Sequence, residues 1–475
     1  MSAVGLTLAW TAHAVRGRIV SGDPELEIGP VTTDTRALEP GTCFVALKGP
    51  NFDGHAFVAD AFARGATTAI VDGGFAKAGA GRPGGKSQWG DVGLIAVDDT
   101  LRALQDLAHA VRVAAGTRVI AITGSAGKTT TKDTIAAFLG VRFTVVKNKG
   151  NLNNHIGLPL SLMQLRSGPD VAVMELGMNH AGEISTLMAI AEPDVRVWTN
   201  VGDAHLGFFA SPDAIADAKA EILERAGRDD LLVSNADDPL IAARVHRFAG
   251  RRMTFGSGEG ADVRALAIED RGIDGMRARI RTPAGDGVIE MPLLGRGNLS
   301  NVLAATAVAI DAGVGLDDVV SVAARLQPAD RRGCVHRLAG GVTLIDDSYN
   351  SSPAALRRAL DVVEKETRAS RKIAVLGEML ELGEHATWLH EESGRAAAAS
   401  GLRLLFTVGG PAARAMASAA VAGGLPQSAV TYVETSEAAS AMVTATLRAG
   451  DLVLVKGSRG TRTDIVADCI AAEFA

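Results

Sequence analysis

The stretch TRVIAITGSAGKTTTK, residues 117–132, constrains the fold more than any other part of the chain. TRVIAIT is an apolar, β-branched run of the kind that forms a buried strand. TTTKDTIAAFLG, which follows the glycines, reads as a helix. A strand that turns on glycines into a helix gathers backbone amides and the positive end of the helix dipole at one point, which suits a phosphate group. The common phosphate loop carries about four residues between its glycines. Here only Ser125 and Ala126 separate Gly124 from Gly127, and Ile122 stands where the earlier glycine would be. The stretch therefore predicts a nucleotide site of a shorter kind. The amides of Gly124 to Lys128 are expected to wrap a triphosphate, with Lys128 reaching its terminal phosphates. Thr129 would offer its hydroxyl to Mg²⁺, with Thr130 next to it in the first turn. The plain alternative is a glycine-rich turn that happens to contain a lysine.

The rest of the chain fits that start. Runs resembling buried strands recur at VAVMELG, VRVWTNVG and LLVSNADD, separated by helical stretches, which predicts a parallel α/β unit. Residues 251–294 change character, and their glycine-punctuated runs read as antiparallel hairpins. A second α/β series begins with GVTLIDDSYN and continues through KIAVLGEM, RLLFTVGG and DLVLVKGSRG. At 475 residues several domains are expected. Three are assigned: 1–115, ending in LRALQDLAHAVRVAAG closed by Gly116; 116–330, with the nucleotide loop; and 331–475, cut at QPADRRG. No tandem repeat or low-complexity segment interrupts them.

Composition narrows the class. Apolar residues at 47% supply real cores, and a net charge of −6 offers no basic field for nucleic acid. No Lys/Arg run suits an anionic membrane, and no apolar window approaches the ~18 residues of a membrane span. Cys43, Cys334 and Cys469 show neither metal-ligand spacing nor a disulfide pattern, as in a reducing cytoplasm. A soluble cytoplasmic protein is expected, with partners that are neither nucleic acid nor membrane.

Several side chains stand out against that background. Glu175 ends an apolar run where an unpaired charge is costly, and His205 follows the strand-like VRVWTNVG. Converging on Thr129, they would suit a divalent metal; singly, they read as a strand-end glutamate bonded to backbone amides and a core histidine. Lys219 lies in SPDAIADAKAEILERAG, with Ser211 as cap and Pro212 opening the helix. Ile215, Ile222 and Leu223 share its face, so it either projects from an apolar surface or snorkels past it. Asn148, Asn151, Asn153 and Asn154 crowd KNKGNLNNHIGLPLSL, which is either a plain turn or a donor-rich surface for a peptide or sugar. Asn298 and Asn301 lie one helical turn apart, able to cap a helix or to read a nucleobase edge. Asp346, Asp347, Tyr349 and Asn350 crowd one strand end, and Lys456, Ser458 and Arg459 another, where cations suit a carboxylate-bearing substrate.

Taken in order, TGSAGKTTTK, GNLNNHIGLPLSL, MELGMNHAGEI, TNVGDAHL, AKAEIL, NADDP, GNLSNVLAA, DDSYNSSP and VKGSRG resemble the Mur ligases along essentially the whole chain. TDTRALEPGTCFVALKGPNFDGHAF is similar to that family's UDP-sugar-binding segment. The form NN-x-x-G-x-P at 153–159, and the lack of an Asp-Asn-Pro-Arg segment, point to the branch that adds D-alanyl-D-alanine. Two residues between the loop glycines is that family's own spacing. Two positions depart from its pattern. Gly297 stands where a histidine often precedes the adenine-side Asn298, and RRGCVHR replaces a Pro-Gly-Arg lead-in, leaving Arg332 as the aligned residue and Arg331 as the alternative.

The resemblance implies an α/β protein of three domains. A central P-loop-type parallel-sheet ATPase domain would be flanked by an N-terminal UDP-binding α/β domain and a C-terminal Rossmann-like domain. It implies ATP-dependent ligation of D-Ala-D-Ala to UDP-MurNAc-tripeptide through an acyl phosphate, by a monomer whose domains close on the substrates. Lys128 would stabilise the transferring phosphoryl group, Thr129 and Glu175 would hold one Mg²⁺, and His205 with a carbamoylated Lys219 a second. Asn298, Asn301, Arg332 and Asp347 would line the nucleotide, and Tyr349, Asn350, Lys456 and Arg459 the dipeptide. Asp34, Arg36 and the loop Asn51, Asp53, Gly54 and His55 would grip the UDP end, with Asn153 and Asn154 on the muramoyl-peptide. A sibling Mur ligase or a folylpolyglutamate-synthetase-like amide ligase is the alternative within the fold, and a non-catalytic ATP-dependent switch the alternative outside it.

Overall fold

The computed structural model describes residues 3–79, 92–202 and 207–475. The expectation for His205 lies outside the described residues. Contacts divide the chain into two compact units. The first is Met1–Ala121, Phe143–Met178 and Gly182–Arg196; the second is Ile122–Arg142, Asn179–Ala181 and Val197–Ala475.

The first unit opens with strands Arg18–Ser21 (β1), Val31–Thr32 (β2), Cys43–Val45 (β3), Thr68–Asp72 (β4) and Gly93–Val97 (β5), in the order β1-β5-β4-β3-β2. Only β1 runs antiparallel to its neighbour; the other pairs are parallel. Helix Thr100–Ala115 (α1) follows. The Asp99 carboxylate accepts the amides of Leu101 and Arg102 at its start, and Gly116 ends it at φ 62, as the sequence implies.

A nine-stranded sheet comes next, formed by Arg118–Thr123 (β6), Val145–Lys147 (β7), Val171–Glu175 (β8), Val195–Trp198 (β9), Leu231–Asn235 (β10), Arg251–Gly256 (β11), Val263–Asp270 (β12), Met276–Thr282 (β13) and Gly285–Met291 (β14). Its order is β14-β13-β12-β11-β10-β9-β6-β8-β7. Strands β6 and β9 begin in the first unit and end in the second. After β6 comes helix Lys128–Leu139 (α2), after β9 helix Pro212–Ala220 (α3), and after β14 helix Gly295–Asp311 (α4). The expected hairpins at 251–294 need one correction. β12, β13 and β14 do pair antiparallel, but β11 runs parallel to both β10 and β12. Its glycine-bounded sequence carries no sign of direction, which the chain's path between strands decides.

The last part of the second unit is a six-stranded sheet of Cys334–Arg337 (β15), Thr343–Asp347 (β16), Arg371–Gly377 (β17), Leu404–Val408 (β18), Val430–Val433 (β19) and Asp451–Lys456 (β20), ordered β15-β16-β20-β17-β18-β19. All pairs but β15–β16 are parallel. Helices Pro353–Lys365 (α5), Ala386–Ala399 (α6) and Pro411–Ala422 (α7) accompany it. Leu344, Ile373, Val375, Val453 and Val455 fill one apolar core of this sheet, and Ile345, Ala374, Leu376 and Leu454 another. The alternation within each strand shows a sheet buried on both faces.

At one end of that sheet the fully buried Asp451 carboxylate accepts from Arg371 Nε (2.8 Å) and Nη2 (2.6 Å) and from the Arg448 amide (2.7 Å). It ties the first residues of β17 and β20, which are paired in register. Removing one partner of a buried pair leaves the other uncompensated. Asp451→Ala is therefore expected to destabilise the fold by about 3 kcal/mol, read as a lowered denaturant midpoint by circular dichroism. A midpoint equal to wild type would show that the pair is idle.

Candidate nucleotide and ligase site

The expected phosphate loop joins β6 to α2, whose N-cap is Gly127 at φ 81. A Cβ on Gly127 would collide with the side-chain amide of Asn301, and one on Gly124 with Thr199 Oγ1. Close approach of neighbours, rather than the turn alone, requires both glycines. The loop is laced to residues 199–202. Asn200 accepts the Ser125 amide on its carbonyl oxygen (3.0 Å) and the Ala126 amide on Oδ1 (2.9 Å), while its Nδ2 donates to the Ala126 carbonyl (2.8 Å). Ser125 Oγ accepts the Gly202 amide (2.9 Å). This changes the expected cradle. The amides of Ser125 and Ala126 are committed inside the protein, so the donors facing an anion begin at Gly127 and the first turn of α2, with Lys128 to Thr130. Lys128 Nζ donates to the Gly124 carbonyl (2.7 Å), folded across its own loop.

Lys219 lies on α3, where Ser211 Oγ accepts the Ala214 amide (3.2 Å) and Pro212 takes the first position, as the sequence suggests. The helix ends at Ala220 and tightens into a 3₁₀ turn, Glu221–Leu223. Lys219 is 1% exposed, and Ile215, Ile222 and Leu223 are buried with it. A snorkelling lysine would keep its ammonium in water; this one does not. Among the described residues no carboxylate pairs with it. Burial first, and then the charge of Lys128, hold its amine well below lysine's ordinary range.

In the first unit Glu175 ends β8 at 5% exposure. Asn153 Nδ2 donates to its Oε1 (2.8 Å), and Asn148 holds its backbone on both sides, accepting the amide (3.0 Å) and donating to the carbonyl (3.2 Å). A side-chain amide thus meets this carboxylate. Asn154 Oδ1 accepts the amides of Ile156 (3.2 Å) and Gly157 (2.8 Å) at the start of the helix Gly157–Leu162. The asparagine cluster largely serves the protein's own backbone. In the same unit Asp34 and Arg36 form an exposed two-point ion pair, which holds the Asp34 carboxyl down at about 2. Asp53 Oδ1 meets His55 Nδ1 (2.6 Å), while His55 Nε2 accepts the Asp72 amide (2.9 Å). His55 therefore carries its proton on Nδ1 and ties two backbone segments. Gly54 has no room for a side chain, because a Cβ would stand 2.7 Å from the Leu47 carbonyl oxygen. Asn51 lies in the turn between Lys48–Gly49 and Phe52–Asp53.

In the second unit Asn298 and Asn301 both lie in the first turns of α4. Asn298 Nδ2 donates to the Leu294 carbonyl (2.9 Å), and its Oδ1 accepts from Asn301 Nδ2 (3.2 Å). Asn301 thereby reaches the phosphate loop at Gly127. At Gly297, where the family pattern is departed from, a Cβ would stand 3.0 Å from Arg358 Nη1, the far end of a side chain from α5. The neighbouring arginines make different contacts. Arg331 is spent on Asp468 (2.9 Å), while Arg332 Cζ lies 4.1 Å over the Tyr349 ring, with Arg459 Cζ 6.0 Å from the same ring. Lys456 Nζ donates to Asp347 Oδ2 (2.6 Å) and to the Asn350 carbonyl (3.0 Å).

Next to these groups, at the carboxyl ends of β17, β18 and β19, opens a cleft of about 740 Å³ lined in part by Glu378, Gly410, Arg414, Tyr432 and Glu434. Arg414 Cζ lies 4.7 Å over the Tyr432 ring and its Nη2 3.9 Å from Glu434. These residues went unread in the sequence. The signal available was Tyr432, the chain's only tyrosine besides Tyr349.

A short phosphate loop on a mixed sheet, a buried lysine in the same unit and a second Rossmann-like sheet define a nucleotide-dependent ligase. Three family descriptions match in order: "Mur ligase family, catalytic domain" over residues 27–112, "Mur ligase middle domain" over 122–309 and "Mur ligase, glutamate ligase domain" over 331–459. The UDP-N-acetylmuramoyl-tripeptide–D-alanyl-D-alanine ligase of Bacillus subtilis is 35% identical over 463 residues, 97% of each chain. The crystal structure of MurF from Acinetobacter baumannii superposes with a TM-score of 0.85 at 32% identity, covering 99% of this chain and 100% of that one. That of MurF from Thermotoga maritima in complex with ADP gives 0.80 at 28% identity, covering 94% and 97%. The chain belongs to the Mur ligase family.

The state of Lys219 is open to a direct measurement. Between its lowered folded value and the ordinary 10.5, the unfolded chain holds a proton that the folded chain does not. The cost of burying it therefore grows as pH falls through that window and vanishes above it. In CO₂-free buffer, Lys219→Met is expected to raise the melting temperature at neutral pH, and the gain should shrink at pH values above 10.5. A melting temperature lowered by the substitution would contradict a buried neutral amine.

Proposed function

We propose that this chain is the ATP-dependent, ADP-forming ligase that joins D-alanyl-D-alanine to the C-terminal carboxylate of UDP-MurNAc-tripeptide, giving UDP-MurNAc-pentapeptide for peptidoglycan synthesis. The observation that carries the reading is a short phosphate loop with Lys128 and a buried Lys219, its amine held well below lysine's ordinary range, in one unit, on a chain alike from end to end to D-alanyl-D-alanine-adding ligases. The boundaries 1–115, 116–330 and 331–475 are part of the proposal, and each matched family segment falls inside one of them. We assign the protein to the cytoplasm, where ATP and UDP-linked precursors are made, and treat it as a monomer. Among the described residues no helix is long and apolar enough to cross a membrane.

A carboxylate lacks a competent leaving group, so the reaction begins by moving the γ-phosphoryl of ATP onto it, which forms an acyl phosphate and ADP. The free amine of the dipeptide then attacks the carbonyl carbon. The tetrahedral intermediate expels phosphate, and the amine's proton leaves to a base. The protein's part is to place the reactants and neutralise charge. Lys128 stabilises the phosphoryl group in flight, and the first turn of α2 holds the neighbouring oxygens. Asn298, Asn301, Arg332 and Asp347 are assigned to the nucleotide.

Thr129, Glu175, His205 and Lys219 are the residues assigned to Mg²⁺. A hydroxyl and a carboxylate suit a hard cation, and a lysine amine in its neutral form, the form burial favours at Lys219, can add to CO₂, losing a proton to become an oxygen-bearing carbamate. The metal supplies charge neutralisation on the phosphates. Tyr349, Asn350, Lys456 and Arg459 are assigned to the dipeptide. The cleft next to them adds Arg414 as a cation for its carboxylate, with the carboxylates of Glu378 and Glu434 nearby for its ammonium. Asp34, Arg36, Asn51, Asp53, Gly54 and His55 are assigned to the UDP end, and Asn153 and Asn154 to the muramoyl-peptide.

Phosphate release is expected only when UDP-MurNAc-tripeptide and D-Ala-D-Ala are both present. Release with L-glutamate, L-lysine or diaminopimelate in place of the dipeptide would name a sibling ligase, and release with neither substrate a switch. Lys128→Ala is expected to lower the rate on the order of 10²–10³; activity within a few-fold of wild type would remove it from the mechanism. Arg414→Ala should raise KM for D-Ala-D-Ala about tenfold while leaving KM for ATP unchanged, as loss of one charge-assisted contact implies.

A further inference from the structure

Asn200 is absent from every role assigned above, yet it makes three hydrogen bonds to the phosphate loop. Its side-chain amide closes a ring with one residue, accepting the Ala126 N–H (2.9 Å) and donating to the Ala126 C=O (2.8 Å). Its own carbonyl accepts the Ser125 N–H (3.0 Å). Thr199 Oγ1 adds a second donor to the Ala126 carbonyl (3.0 Å). We propose that Asn200 is a positioning residue for the nucleotide, acting as a clamp that fixes the peptide of Ala126 so that the loop presents Gly127 and the first turn of α2 to the phosphates.

With only two residues between its glycines, the loop is too short to turn all of its amides toward an anion. Left alone, the Ser125 and Ala126 amides would seek water or carbonyl acceptors and draw the loop into several conformations. The clamp satisfies both amides and one carbonyl internally, at a single geometry. It is itself held from behind. Asn235 Nδ2 donates to the Thr199 carbonyl (2.9 Å), and Asp238, the cap of the short helix Pro239–Ala242, accepts the Val201 amide (2.8 Å). The strand-end segment thus reaches the loop already rigid, and a short loop acquires the fixed shape that a longer one obtains from its own turns. Preorganised donors are worth more than mobile ones because they need no reordering when the anion arrives.

This inference rests on the reading that the loop takes ATP. Binding of ADP to Asn200→Ala and Asn200→Asp, measured by calorimetry beside wild type, tests it together with KM for each substrate. Asn200→Ala is expected to weaken ADP binding and raise KM for ATP about tenfold, with KM for D-Ala-D-Ala unchanged. Asn200→Asp keeps the size and the acceptor but sets a carboxylate oxygen against the Ala126 carbonyl, so it should bind ADP more weakly than Asn200→Ala. It also serves as the readout if the alanine variant fails to fold. ADP affinity equal to wild type in either folded variant, or equal losses for all substrates, would overturn the clamp. Failure of wild type itself to bind ADP would instead overturn the nucleotide reading beneath it.

Discussion

The lacing of residues 124–127 to residues 199–202 is the interaction on which the second unit's chemistry depends. Two adjacent strand ends, β6 and β9, finish side by side, and the polar groups each leaves exposed satisfy the other. Thr199 and Asn301 then press on the loop from two sides, leaving no space for a side chain at Gly124 or Gly127. A phosphate site of this kind is less a property of one loop than of the neighbouring segments that stop it from moving. Residues well outside the motif, such as Asn235 and Asp238, belong to it through that chain of contacts.

The buried Lys219 shows the opposite economy. Other charges of the second unit are paired: Lys456 with Asp347, Arg331 with Asp468, Arg371 with Asp451. Lys219 is held in apolar surroundings on α3, facing the charge of Lys128. A protein that wanted only packing there would use leucine or methionine. Burial there, with the charge of Lys128 beside it, disfavours the charged form of the amine.

Asparagine recurs in this chain as a substitute for backbone. Asn148 grips both polar groups of Glu175 and Asn200 both polar groups of Ala126. A side-chain amide carries one donor group and one acceptor at the spacing of a peptide, so it can pair with an exposed strand end as another strand would. Where the chain must stop a strand and present its last residue to a ligand, this is an economical way to fix it.

The sequence by itself determined the strand–loop–helix at 117–139, the glycine end of α1, the capped start of α3, and the strands that carry the two α/β sheets. These follow from local rules: apolar runs bury, glycine admits turns, and serine, aspartate and proline begin helices. Motif order also pointed to the family, because such chemistry requires those residue types at those spacings. Tertiary structure alone decided the rest. It made β11 parallel, added the short strands β15 and β19, and set β20 between β16 and β17. It spent the Ser125 and Ala126 amides on Asn200, sent Asn148 and Asn153 to Glu175 and Asn154 to a helix start, set Arg358 beside Gly297, and gave Arg331 and Arg332 different partners. The physical reason is the same in each case. A polar side chain's partner is whichever donor or acceptor the fold brings within about 3 Å, and residues distant in sequence become neighbours only when strands are ordered into sheets.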